Sequence, residues 1–392
     1  MRAAARGKGV EDDGRLVAAA LAGAWRSPPM PLALSPTDIA SITPLLLRAG
    51  SGALAWWRIR HSDLKDAAGA RPLRDTYRYD TLQAGIHERH ITQAVDALRS
   101  FGVDPLLLKG WAAARLYPER GLRPYGDIDL CVRPEQYEAA VAALAGRAAE
   151  TGVVDLHEGL PDLYRPSLDE VYDRSWLCPL LGVGVRTLGF EDHLRYMCLH
   201  LLRHGAYRAI WLCDIAVALE SAPRDFDWEY LLRGEQRQSG WIICALVLAH
   251  DLLGARLDGT AAAESAKSLP RWLVPAVVKQ WGAREHYMAS STMAASLRSP
   301  RSILKALRLR WPNPVQATVG VGGRFSEFPR FPFQLGECLL RTAHFVTQAP
   351  RLIRQRSLGP VGRGAHAPVT ARGHVDSGDA TGTRRHPSSP PR

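Results

Sequence analysis

Apolar residues follow helical spacing through long stretches toward both ends of the chain and fall into short uninterrupted runs between them. From Ser35, "SPTDIASITPLLLRAGSGALAWWRIRH" sets apolar positions three and four apart, with Ser35 as N-cap, Pro36 opening the first turn and Asp38 within it. A second stretch, from about Leu73 to Phe101, places Leu82, Ile86, Ile91, Val95 and Leu98 near one face and stops at Gly102. The middle reads differently. "DPLLLKG", "DIDLCV" and "GVVDLH" are short apolar runs of the kind buried strands show. "WAAARLY" and a stretch opened by Pro134 and running to about Arg147 are helix-like segments between them. The alternation predicts a mixed sheet with helices against it, and the pattern from Glu191 to about Ala255 is helical again.

The fold class expected is therefore α+β, a small mixed β-sheet core over 101–190 flanked by an N-terminal helical region, 35–100, and a C-terminal helical domain, 191–290. Residues 1–34, rich in Ala, Arg, Gly and Pro, read as a flexible leader, 291–350 as a basic helical extension, and 351–392 as a disordered Arg/Gly/Pro-rich tail. There is no internal repeat. With 392 residues and 46% hydrophobic content, real cores are expected.

Composition changes this picture in three places. The net charge of +11 invites a nucleic-acid reading until it is located. Residues 351–392 hold eight arginines against Asp376 and Asp379, and 298–310 holds five basic residues and no acid. Those segments account for the whole surplus, so the rest is neutral and no extended nucleic-acid interface is expected. The stretch 298–310 can form an amphipathic helix with Ile303, Leu304, Leu307 and Trp311 opposite its charges, read first as a solvated face and second as a membrane-surface element. No apolar run reaches the roughly 18 residues of a membrane span. Glu11, Asp12 and Asp13 stand where a secretory signal stays positive, so a cytoplasmic address is expected. The cysteines, at 131, 178, 198, 213, 244 and 338, show no CxxC spacing and read as reduced thiols.

The candidate chemistry lies in "LLLKGWAAARLYPERGLRPYGDIDLCV". Side chains two apart on a strand share a face, about 7 Å apart along the chain. Asp127 and Asp129 thus converge, and like charges beside Ile128 and Leu130 call for a counter-charge such as Mg²⁺, with Mn²⁺ as a substitute. Asp155, in the similarly apolar "VVDLH", supplies a third carboxylate from a second strand, enough to hold two ions in phosphoryl or nucleotidyl transfer. Gly110 sits at a strand-to-helix junction where a triphosphate can approach backbone N–H groups, and Lys109 and Arg123 are the nearest cations. A lone Asp-x-Asp is weak evidence; the ensemble is more specific.

Other residues suit blander roles. His193, His200 and His204 share a helix face, but "HLLRH" lacks a metalloprotease glutamate and the neighbouring Leu194, Met197, Cys198 and Leu201 favour core packing. Contact with substrate is the second reading. Asp214, inside an apolar run, is expected to cap a helix or pair with Arg203 or Arg208, and Trp211 to pack.

These blocks, with "VDLHEGL", "EDHLRYMCLHLLRHG" and "WLCDIAVAL", resemble the uncharacterised nucleotidyltransferase family of the polymerase-β-type superfamily over roughly residues 36–290. The resemblance implies a nucleotidyltransferase sheet between helices, Asp127, Asp129 and Asp155 as metal carboxylates, and Gly110 in the nucleotide loop. Trp111 departs from the Gly or Ser usual after that glycine. The expected activity is Mg²⁺-dependent transfer of an NMP group from an NTP, ATP first among them, to a hydroxyl of a small molecule, peptide or protein. Alternatives are a phosphotransferase on the same fold, a glycosyltransferase using DxD, and a nucleotide-binding or antitoxin-like module with decayed catalysis.

Overall fold

The computed structural model describes residues 9–160, 166–257, 260, 263, 269–283 and 311–343. The basic stretch 298–310 and the tail 351–392 lie outside the described residues.

Ser35 begins the helical region as expected. Its hydroxyl accepts from the Asp38 N–H at 3.1 Å while the Asp38 carboxylate accepts from the Ser35 N–H at 3.0 Å, a reciprocal cap that starts α2, Pro36–Arg48. It is preceded by α1, Val10–Leu21, and followed by α3, Gly52–Ile59, and the long α4, Ala70–Arg99. The α1 helix corrects the expectation of a loose leader. Val17 and Leu21 are fully buried, with Trp25 beyond them nearly so. Gly14 of α1 lies so close to the helix Leu273–Gly282 that a Cβ there would stand 1.8 Å from the Val278 carbonyl oxygen. The Ala-rich text hides this, because a helix that packs through small residues carries little hydrophobic contrast.

A second correction concerns α4. Ile91, Val95 and Leu98 are buried as expected, but Leu82 and Ile86 are exposed. The N-terminal part buries Leu73 and Ala84 instead, so Leu73 joins one core while Ile91, Val95 and Leu98 join another. A straight apolar stripe cannot serve two cores at different azimuths around one axis.

The sheet has the order β3-β2-β1-β5-β4. Strand β1, Leu106–Leu107, pairs antiparallel with β2, Ile128–Val132, and parallel with β5, Val183–Thr187. Strand β3, Val154–Glu158, runs parallel to β2, and β4, Trp176–Leu180, closes the other edge antiparallel to β5. Leu181 and Gly182 both take positive φ, as a two-residue hairpin turn demands. Short helices α5, Trp111–Ala114, α6, Tyr137–Leu144, α7, Ala148–Thr151, and α8, Leu168–Asp173, link the strands.

One face of the sheet, through Leu107, Ile128, Leu130 and Val132, packs on Ile91, Val95 and Leu98 of α4 and Ala140 and Ala143 of α6. The other face, through Leu106, Leu108 and Cys131, joins the larger core of the C-terminal helices. These are α9, Phe190–Arg203, α10, Ala209–Glu220, α11, Trp228–Leu232, and α12, Gln236–Leu253. The result is an α+β fold with helical flanks. The described cysteines carry free thiols. Among the described residues no helix is long and apolar enough to cross a membrane.

Candidate active site

Strand register builds the site. Parallel pairing sets Asp129 opposite Asp155 and Cys131 opposite His157, so Asp129, Asp155 and His157 lie on one face of two neighbouring strands. One ligand atom from each of these three lies within 4.8 Å of the others. His157 Nε2 stands 3.4 Å from Asp129 Oδ1 and 3.6 Å from Asp155 Oδ2. Asp129 is 1% exposed, whereas the Asp155 side chain is 40% exposed, so the cluster is rooted in the sheet and open at one side.

Lys109 reaches the same place from the end of β1. Its ammonium is 3.0 Å from Asp129 Oδ1 and 3.9 Å from Asp127 Oδ2. Burial alone raises the Asp129 carboxyl; the His157 hydrogen bond and the Lys109 charge outweigh it and hold the group below its ordinary value. Asp129 Oδ2 is nevertheless buried without a hydrogen-bond partner. An ionised oxygen with an unused lone-pair set, beside a second carboxylate and an imidazole, suits a divalent cation.

Gly110 turns the chain between Lys109 and α5 with φ +68°. A Cβ would meet the Asp127 carbonyl and Tyr125 only at ordinary contact distance, so conformation, not space, demands glycine here. The α5 helix that it opens is a single turn.

The expected site residues divide. The structure brings Asp129, Asp155 and Lys109 together, with Gly110 adjoining. Asp127 precedes β2 and, half-exposed, lies at the rim outside the three-residue cluster. Arg123 is taken elsewhere. Its Nε donates to both Asp214 oxygens at 3.2 and 3.1 Å, its Nη2 to Asp214 Oδ2 at 2.8 Å, and its Nη1 to the Pro124 carbonyl at 3.1 Å. The Tyr117 hydroxyl donates to the same carboxylate at 2.8 Å. A guanidinium this committed is a buried strut, which corrects both the phosphate role expected of Arg123 and the Arg203 or Arg208 partner expected of Asp214. His157 was missed, although its position two residues beyond Asp155 in a strand is the signal that would have found it.

Helix α9 lies over this face. Burial, with the Asp129, Asp127 and Asp155 charges, pushes the Tyr196 phenol up. Burial pushes His200 well down, and His204 to about 4, with Lys109 adding to both. Both imidazoles are thus neutral at neutral pH. Trp211 packs against them, its ring 4.6 Å from His200 and 5.4 Å from His204.

Carboxylates on adjacent strands of a small mixed sheet, beside a Lys-Gly turn and under a helical flank, define an enzyme of the phosphorus-group-transferring class. The sequence profile described as "Uncharacterised nucleotidyltransferase" matches residues 35–174 and 149–254, and the chain belongs to that family. The match ends at residue 254, short of the residue 290 expected from the resemblance. Curated proteins and solved structures give no significant match.

Proposed function

We propose that the protein transfers an NMP group from an NTP, ATP first, to a hydroxyl acceptor in the cytoplasm, releasing pyrophosphate. The carrying observation is the convergence of Asp129, Asp155 and His157 within 4.8 Å around an Asp129 oxygen that has no partner. These three residues would hold a divalent ion, with Asp127 at the rim able to join them. Bound Mg²⁺ or Mn²⁺ supplies positive charge for the phosphate oxygens and the departing pyrophosphate, and the imidazole in the donor set favours Mn²⁺ more than an all-carboxylate set does.

The chain's own groups divide the remaining work. Lys109 neutralises Asp129 and offers an ammonium to the incoming phosphates. Asp155, the open carboxylate, takes the proton from the acceptor hydroxyl as its oxygen bonds to the α-phosphorus. The bond from that phosphorus to the bridging oxygen breaks, and pyrophosphate leaves with the electron pair. Free thiols support a reducing compartment.

Incubation with Mg²⁺ or Mn²⁺ and NTPs labelled at the α or γ phosphorus tests this across hydroxyl acceptors. The α label should reach the acceptor. Asp129→Asn should lower transfer by more than about a hundredfold, beyond the loss an outer partner of a metal site causes. A γ label in the product would make the enzyme a phosphotransferase. Metal-dependent NTP binding with no label transferred would make it a nucleotide-binding module.

A further inference from the structure

A cavity of about 620 Å³ lies at the β4 edge of the sheet, lined by Trp111, Arg115, Ser175, Trp176, Leu177, Cys178 and Pro179. Its residues take no part in the carboxylate cluster. The volume falls in the range of small-molecule sites, about 300–1,000 Å³. Trp111 and Arg115, four apart, project from α5 and the residue after it, and Trp176 and Leu177 from β4.

Arg115 carries the argument. Among the described residues its guanidinium forms no hydrogen bond or ion pair, and its Nε is shielded from solvent without an acceptor. Many other withdrawn arginines differ: Arg26 faces Glu220, Arg60 faces Glu119, Arg174 faces Glu191 and Arg186 faces Asp104, while Arg58, Arg195 and Arg330 donate to backbone carbonyls. His193, which feels the Arg115 charge, is held neutral, chiefly by burial. A guanidinium partly withdrawn from water, with neither a carboxylate nor a carbonyl accepting from it, has its donors available to an anionic ligand.

The walls say what else the ligand carries. Trp111 is 7% exposed while Trp176 is 42% exposed, so one indole is a fixed wall and the other an open one. Indole surfaces favour a flat apolar body. Among the described residues no second cation lines the cavity, which suits the single charge of a carboxylate better than a phosphate dianion. Pro179 removes a backbone donor from β4, so this edge is a poor template for an extended peptide.

We infer that this cavity is a binding site for a small aromatic carboxylate, its anion held by Arg115 and its ring by Trp111 and Trp176.

Calorimetric titration of the full chain, without nucleotide or metal, tests the inference with benzoate, phenylpropionate and indole-3-acetate, each against its primary amide. At least one acid should bind tenfold or more tightly than its amide. Arg115→Gln should abolish that preference with the melting temperature held, and Trp176→Ala should weaken the acid and the amide alike. Acid and amide binding equally, none of the acids binding, or a preference surviving Arg115→Gln would overturn it. Should Arg115→Gln unfold, Trp176→Ala at the exposed edge decides, since unchanged affinity there removes the site. The outcome is independent of nucleotidyl transfer, because no NTP is present.

Discussion

Arg123 and Asp214 show how one pair of residues changes meaning once its surroundings are known. In the sequence Arg123 is a cation four residues from an acidic motif, and electrostatics alone sends it to a phosphate. In the fold it is 8% exposed and Asp214 is 2% exposed, with the Tyr117 hydroxyl completing the carboxylate's hydrogen bonds. Removing one member of a buried ion pair leaves the other charged and unpaired, at a cost of about 3–5 kcal/mol. Arg123→Ala and Asp214→Ala should each lose stability of that order in urea unfolding. The double change Arg123→Met with Asp214→Leu should recover most of it. The phosphate role makes the opposite forecast, a raised KM for NTP with an unaltered unfolding midpoint, so midpoint and KM measured on Arg123→Ala separate the two. Asp129 is the counter-case: the sequence placed it in the site on charge and spacing, and the register of β2 on β3 set it opposite Asp155.

At the scale of elements, α1 is the piece that sequence patterning misjudged and packing explains. It buries Val17 and Leu21 and meets the helix Leu273–Gly282 through Gly14 and Gly282, where a Cβ on Gly282 would stand 1.8 Å from the Val10 carbonyl oxygen. Two helix backbones approach that closely only when neither carries a side chain at the crossing. Gly14→Leu has no room to be accommodated, and overpacking costs about 1–3 kcal/mol or more. In a body of this size that amounts to a melting temperature lower by about 2–5 °C. Arg15→Ala, on the exposed side of the same helix, is the control and should leave it unchanged. A loose leader would be indifferent to both changes, so equal melting of the two variants and the parent would remove α1 from the core. The β4–β5 hairpin was also unread, because its turn is Leu181-Gly182 and leucine gives no local sign of the positive φ it adopts.

For the whole molecule, acid stability follows in part from a buried histidine, His193. Burial, Arg115 and Arg123 push His193 down to about 3, and its Nε2 has no hydrogen-bond partner. An unfolded histidine takes its proton near pH 6.5. Between about pH 6.5 and 3 the unfolded chain therefore binds one proton more than the folded one, and stability falls as pH falls through that window. Above it the contribution is constant. From pH 7 to pH 5 the loss from this group is about 2 kcal/mol. His193→Leu keeps the volume and removes the titration, so in urea unfolding at those two pH values the variant should lose about 2 kcal/mol less than the parent. Equal losses would place His193 in contact with solvent. Sequence alone determined what depends on neighbours along the chain: the Ser35 cap, the strands around "DIDLCV" and "VVDLH", their helical flanks, and the family those blocks belong to. Caps and short apolar runs report local hydrogen bonding and periodicity, which few distant contacts override. Only the tertiary structure decided that His157 joins the carboxylates, that Arg123 leaves them for Asp214, and that Arg115 is left beside two indoles. Each of those outcomes turns on which groups meet across strands and helices far apart in sequence, where register and burial, rather than residue type, settle which charges meet.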